Sequence, residues 1–172
     1  MNRTGSSFIE RINRREVMMF DSTEMYNLGI AFINSGEANF REGVIKHRSI
    51  YQNAAGIVNL AFACELFLKC LLNMAGNESK GHNIEDLWKE YRRLCVTGAS
   101  AIESSVMNRL HTDLTFEEML HNDSDVFYNY RYLYDPDRLA EIRNNQLRPQ
   151  FLRVFAFELC GCICKELKRQ MP

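Results

Sequence analysis

The residues whose types and spacing could do chemistry fall into a polar set, a basic–aromatic set and a run of cysteines. In the polar set, Glu65 and Lys69 are four residues apart, and Gly81-His82-Asn83 follows after a short loop. A carboxylate, an ammonium and an imidazole brought together can bind an anion or move a proton. Read more plainly, Glu65 and Lys69 are an exposed i,i+4 pair worth about 0.2–0.5 kcal/mol. In the same plain reading, His82 packs over or bonds to the entrance of the helix that Asn83 caps. The basic–aromatic set is Arg131, Tyr132, Tyr134, Arg143, Asn144 and Arg148. Guanidinium groups hold phosphates through charge-assisted, forked hydrogen bonds, and tyrosine rings stack on bases for about 1–3 kcal/mol each. Tyrosines in such a segment are more often core or interface residues than stacking platforms.

Cys160, Cys162 and Cys164 resemble a metal cluster on paper. At about 100° per residue, however, Cys160 and Cys164 share one helical edge, with Cys162 roughly 160° from Cys164. They cannot converge on one ion while the segment stays helical. The expectation is buried, reduced, small apolar residues in a cytoplasmic protein, with no metal and no cofactor.

The elements that must position these groups are helical. Asp21 and Glu24 stand at capping-box spacing ahead of Met25, Leu28, Phe32 and Ile33, which predicts a first helix over Asp21–Phe40. Gly36 and Gly43 bracket a weaker stretch that should end or kink it. From Arg48 to Met74 the polar residues Glu65, Lys69 and Asn73 recur every four, with Asn59 nearby on the wheel and apolar residues elsewhere. So narrow a polar stripe predicts a central helix surrounded by others. Asn83 caps a short helix with Glu85 and Asp86 in its first turn and Ile84, Leu87, Trp88 and Tyr91 on its buried face. Gly98 opens a helix to about His111, and Thr115 with Glu118 forms a second capping box. Asp135-Pro136 reads as N-cap and N1 of a helix to Leu147, and Pro149 breaks or kinks the chain before a last helix, Gln150–Gln170.

With 172 residues, 46% hydrophobic and 25% charged, the chain fits one globular domain and not a disordered one. The expected division is a basic N-terminal arm over residues 1–20 and an all-α up-and-down bundle of about five or six helices over 21–172. The N-terminus carries no uninterrupted apolar stretch of signal-peptide length, and the most apolar segments, Ile57–Ala75 and Phe151–Cys164, are broken by charges, so no membrane association is expected. The net charge of −1 argues against a generally polycationic nucleic-acid coat. It averages two unlike regions. His111–Asp137 holds seven carboxylates and one arginine, whereas Arg138–Pro172 holds seven basic residues and three acidic ones. The pattern fits ordinary solvated helix faces, or a phosphate-facing surface over Arg138, Arg143, Arg148 and Arg153. Spaced by five, those arginines lie about 140° apart on a straight helix and form one patch only if the chain bends at Pro149.

The string Glu65-Leu-Phe-Leu-Lys-Cys-Leu-Leu72, followed by Gly81-His-Asn-Ile-Glu-Asp-Leu87, resembles the HEPN domain (higher eukaryotes and prokaryotes nucleotide-binding). There a central E-L-x-L-K-x-L-L helix precedes a G-H-[DN]-[LI]-x-x-L helix start. Arg131-Tyr-Leu-Tyr-Asp135 is similar to the aromatic segment before the last helices of many members. The resemblance covers about Met25 to Lys168 and implies a helical bundle, commonly a homodimer. It implies binding of or action on RNA or nucleotides in defence or toxin–antitoxin settings, with a nucleotidyltransferase-type protein as a partner. Active HEPN ribonucleases resemble one another in an Arg, then four to six intervening residues, then His. Here Arg143-Asn144 begins that motif, but Arg148 occupies the histidine slot and no histidine follows His121. Arginine cannot act as a base near neutral pH. A literal match, Arg41 to His47, lies before the central helix instead. The expectation is a binding module that does not cleave. The alternatives are an endoribonuclease with a rearranged site using His47, His82 or His111, and a purely structural interaction subunit.

Overall fold

The computed structural model describes residues 21–42, 49–126, 130 and 150–170. Among them are six helices and no strand: α1 (Ser22–Glu42), α2 (Ser49–Met74), α3 (Ile84–Leu94), α4 (Val96–Arg109), α5 (Phe116–Asp123) and α6 (Gln150–Gln170). The fold is an all-α bundle, and α2 is its centre. Leu60, Cys64, Phe67, Leu68 and Leu72 of α2 are wholly buried, and the helix packs against α1, α3 and α6. Its apolar stretch Ala54–Met74 is long enough to cross a membrane by length and composition, but 67% of that window is buried inside the fold. The polar stripe is absorbed by partners. Asn59 donates to Ser35 Oγ (3.0 Å) and Asn73 to Ser22 Oγ (2.8 Å), which ties α2 to α1 at both ends.

α1 continues past Gly36 and ends at Glu42, within the Gly36–Gly43 stretch expected to end or kink it. Gly36 itself serves a close approach: a Cβ there would lie 3.1 Å from the Gly56 carbonyl oxygen, and one on Gly29 would overlap the Phe67 ring. Gly29, Ile33 and Gly36 form the buried seam, so Leu28, expected on the apolar face, turns outward and is 50% exposed. Overpacking at such a seam costs about 1–3 kcal/mol, against the ~1 kcal/mol that alanine gains in helix propensity. Gly29→Ala is therefore expected to lower stability by up to about 2 kcal/mol, measured by urea unfolding. A neutral or stabilised variant would show that α1 and α2 do not approach this closely.

Caps set most boundaries as the sequence indicated. Asp21 caps α1, although its carboxylate accepts from the Thr23 amide (2.8 Å). Asn83 accepts from the Asp86 amide, and Thr115 with Glu118 completes a reciprocal capping box. α2 ends in a Schellman arrangement: Gly76 takes φ +77, its amide bonds to Asn73 O, and the Asn77 amide bonds to Leu72 O. α4 starts at Val96, two residues ahead of the expected Gly98. Cys95 alone turns the corner, since its N–H bonds to Tyr91 O while its carbonyl accepts from the Ala99 amide. Gly98 falls inside the first turn because a Cβ there would lie 2.8 Å from the Tyr91 hydroxyl oxygen.

Trp88, Phe116, Phe151 and Phe155 pack as an aromatic core joining α3, α5 and α6, with centroids 5.2–5.5 Å apart. This core fixes the head of α3 against its neighbours. The N-terminal arm (1–20), residues 127–129 and 131–137 of the acidic region, and the helix expected over Pro136–Leu147 lie outside the described residues.

Candidate functional site

The resemblance residues Glu65, Lys69, His82 and Asn83 meet where the α2–α3 loop enters α3. Glu65 is not on an exposed stripe, as the sequence suggested, but buried at 4% exposure. Its Oε1 accepts from Lys69 Nζ (2.8 Å) and from His82 Nδ1 (2.9 Å). A carboxylate only accepts, so His82 Nδ1 carries the proton and Nε2 is left for a ligand. The imidazole side chain is 61% exposed, whereas that of Lys69 is 17% exposed. A buried acid thus orients an accessible imidazole, the arrangement by which a histidine is held ready to bind or to exchange a proton. His82 bonds to α2 across the loop and not to the helix entrance.

Two further ties surround the same helix start. Asn83 Nδ2 donates to Asp125 Oδ1 (3.3 Å), while its Oδ1 caps α3. Glu85 takes Lys89 (2.6 Å) on one oxygen and His121 Nδ1 (3.0 Å) on the other. The hydrogen bonds from Lys89 and then His121 hold the Glu85 carboxyl below its usual range. Sequence reading missed Asp125 and His121 as members of this cluster. Their only signal was a capped helix whose first turn already held Glu85 and Asp86.

Of the residues proposed to hold phosphate or base, Arg131, Tyr132, Tyr134, Arg143, Asn144 and Arg148 lie outside the described residues, as do Arg138 and His47. Arg153 is described, and its charge is engaged by a carboxylate. It makes a two-pronged ion pair with Glu37 of α1, with both contacts at 2.6 Å. Arg92 pairs with Glu103 and Glu117, and Arg109 with Glu158. His111 is exposed in the turn between α4 and α5.

The cysteines divide as the helical wheel required. Cys160 and Cys164 face Tyr26 of α1, and Cys162 faces Tyr91 of α3. Cys64 and Cys70 are buried, but Cys95, Cys160, Cys162 and Cys164 are only half-buried, against the expectation of full burial. No group of three or more His, Cys, Asp or Glu side chains able to hold a metal converges among the described residues.

No family model, curated protein or solved structure matches the chain.

Proposed function

We propose that this chain is a HEPN-like module that binds RNA or a nucleotide without cleaving it, as a homodimer in a defence or toxin–antitoxin-like setting. The observation that carries this reading is the convergence of Glu65, Lys69, His82 and Asn83 on one junction. Residues separated by a loop in the sequence are joined through one buried carboxylate, which leaves an oriented imidazole at the surface. By composition, the basic stretch Arg138–Pro172, with seven basic residues against three acidic ones, carries the charge that a phosphate backbone requires.

Single-stranded RNA titrated at increasing salt tests the proposal. Affinity should fall log-linearly, with a slope of roughly 0.7 per phosphate contacted. His82→Ala should weaken binding while leaving helicity unchanged. A flat salt response, or no binding at low salt, sinks the reading. Cleavage by a rearranged Arg/His site is the second reading, favoured only by the carboxylate-oriented His82. RNA left intact at stoichiometric protein separates binding from cleavage, and light scattering separates dimer from monomer.

A further inference from the structure

On α6, Cys160 and Cys164 lie one turn apart on the edge that faces α1. Tyr26 reaches them from α1, its hydroxyl 2.8 Å from Cys164 Sγ and 3.9 Å from Cys160 Sγ. Both sulfurs are thus brought to one hydroxyl. Beside them, Gly161 has open space where a Cβ would stand, so the helix surface next to the pair admits a small ion. Lys168 continues the same edge one turn beyond Cys164 and is exposed.

We propose that Cys160 and Cys164 form a two-sulfur site for one thiophilic monovalent cation of the Cu(I) class, with the Tyr26 hydroxyl donating to the Cys164 sulfur. Helix geometry decides between a bridging cation and a disulfide. Side chains at i and i+4 hold their Cβ atoms about 5–6 Å apart, whereas a disulfide needs about 3.5–4.5 Å. Oxidation would therefore have to distort α6. Taking the zinc–thiolate length of about 2.3 Å as a guide, a linear centre needs its sulfurs about 4.6 Å apart, within the reach of side chains whose Cβ atoms are about 5–6 Å apart. Thiolate ligands select soft cations over hard ones, and a structural zinc site needs four ligands. Cys162 points to the other flank and cannot join.

Binding converts two thiols to thiolates, releases two protons to solvent and adds one positive charge, so the neutral pair becomes a complex of net charge −1. Burial raises the Cys160 thiol above its ordinary value, so the thiolate forms with the metal and not before it. Tyr26 is pushed up chiefly by its bond to Cys164 and remains a donor.

The test is an anaerobic titration of the reduced full chain with Cu(I) against the chelator bicinchoninate. One equivalent should leave the chelator for the protein. Cys160→Ser and Cys164→Ser should each weaken retention by more than tenfold, and Tyr26→Phe by roughly tenfold, the usual loss for a ligand's hydrogen-bond partner. Cys162→Ser should leave it unchanged. In the unaltered chain, one equivalent of Cu(I) should protect Cys160 and Cys164 from N-ethylmaleimide, but not Cys95 or Cys162. This second readout needs no variant to fold. No uptake from the chelator, or protection that falls on Cys95 or Cys162, overturns the proposal.

Discussion

Glu65→Ala is expected to destabilise the domain by about 3–5 kcal/mol, the range for breaking a buried ion pair by deleting one partner. Glu65 is 4% exposed, and the Lys69 side chain keeps only 17% of its surface. Removing the carboxylate therefore strands an ammonium on the most buried helix of the fold and frees His82 from its only described anchor. Glu65→Gln keeps the shape and a weaker acceptor, so its cost should be nearer 1–2 kcal/mol, that of losing charge assistance. Changing Glu65→Leu together with Lys69→Met removes both charges and should come within about 1 kcal/mol of the parent. Urea unfolding of the parent, both single variants at Glu65, and the double variant measures the set. If Glu65→Ala costs less than about 1 kcal/mol, the carboxylate is solvated and does not anchor the site. The same variants bear on ligand binding, since Glu65→Gln leaves the fold nearly intact yet loosens His82. RNA affinity lost in Glu65→Gln beyond its loss of stability identifies Glu65 as a positioning residue.

How much of this was legible beforehand depends on whether a feature is local. The caps at Asn83 and Thr115 follow from short-range hydrogen bonding, and the division of Cys160 and Cys164 from Cys162 follows from helical pitch. Both could be read from spacing alone. The central place of α2 was readable because few polar residues interrupt its surface. The packing role of Gly36 was not legible, because a glycine marks either a weak point or a close approach, and only the crossing of α1 over Gly56 and Leu60 distinguishes them. Leu28 was misassigned for the same reason, since the seam of small residues rotates α1 away from its most apolar side. At the site, residue types were legible but pairings were not. Arg153 meets Glu37 from 116 residues away, and that pairing takes a charge which spacing alone assigned to phosphate. Glu65 likewise looked exposed, because a four-residue spacing to Lys69 cannot reveal the loop that covers it.

Asp123 gives the second large effect. It is half-buried in the last turn of α5, and burial pushes its carboxyl up to about 7 from an ordinary 3.8. Its charge is felt by two neighbours that burial already raises, the Cys64 thiol and the Tyr130 hydroxyl, the latter to about 12. A folded-state value above the unfolded one means that folding favours the protonated form. Its contribution to stability is complete below about pH 4 and is lost as pH rises through about 7. The full shift corresponds to at most about 4 kcal/mol. The domain should therefore gain roughly 2–3 kcal/mol as pH falls from 8 to 5. Glu85 and Glu118 act in the opposite sense: hydrogen bonds lower both carboxyls, so their contributions are lost only as pH falls below about 4.5. Stability should accordingly peak near pH 5 and not near neutrality. Asp123→Asn keeps the size of the group and removes its titration. The variant should lie about 2–4 kcal/mol above the parent at pH 8 and stay flat between pH 5 and 8, read by urea unfolding at each unit of pH. A variant that keeps the parent's slope assigns the titration to another group. It would also mean that the Asp123 carboxylate is stabilised in its charged form, because an unstabilised buried charge cannot leave the pH profile untouched.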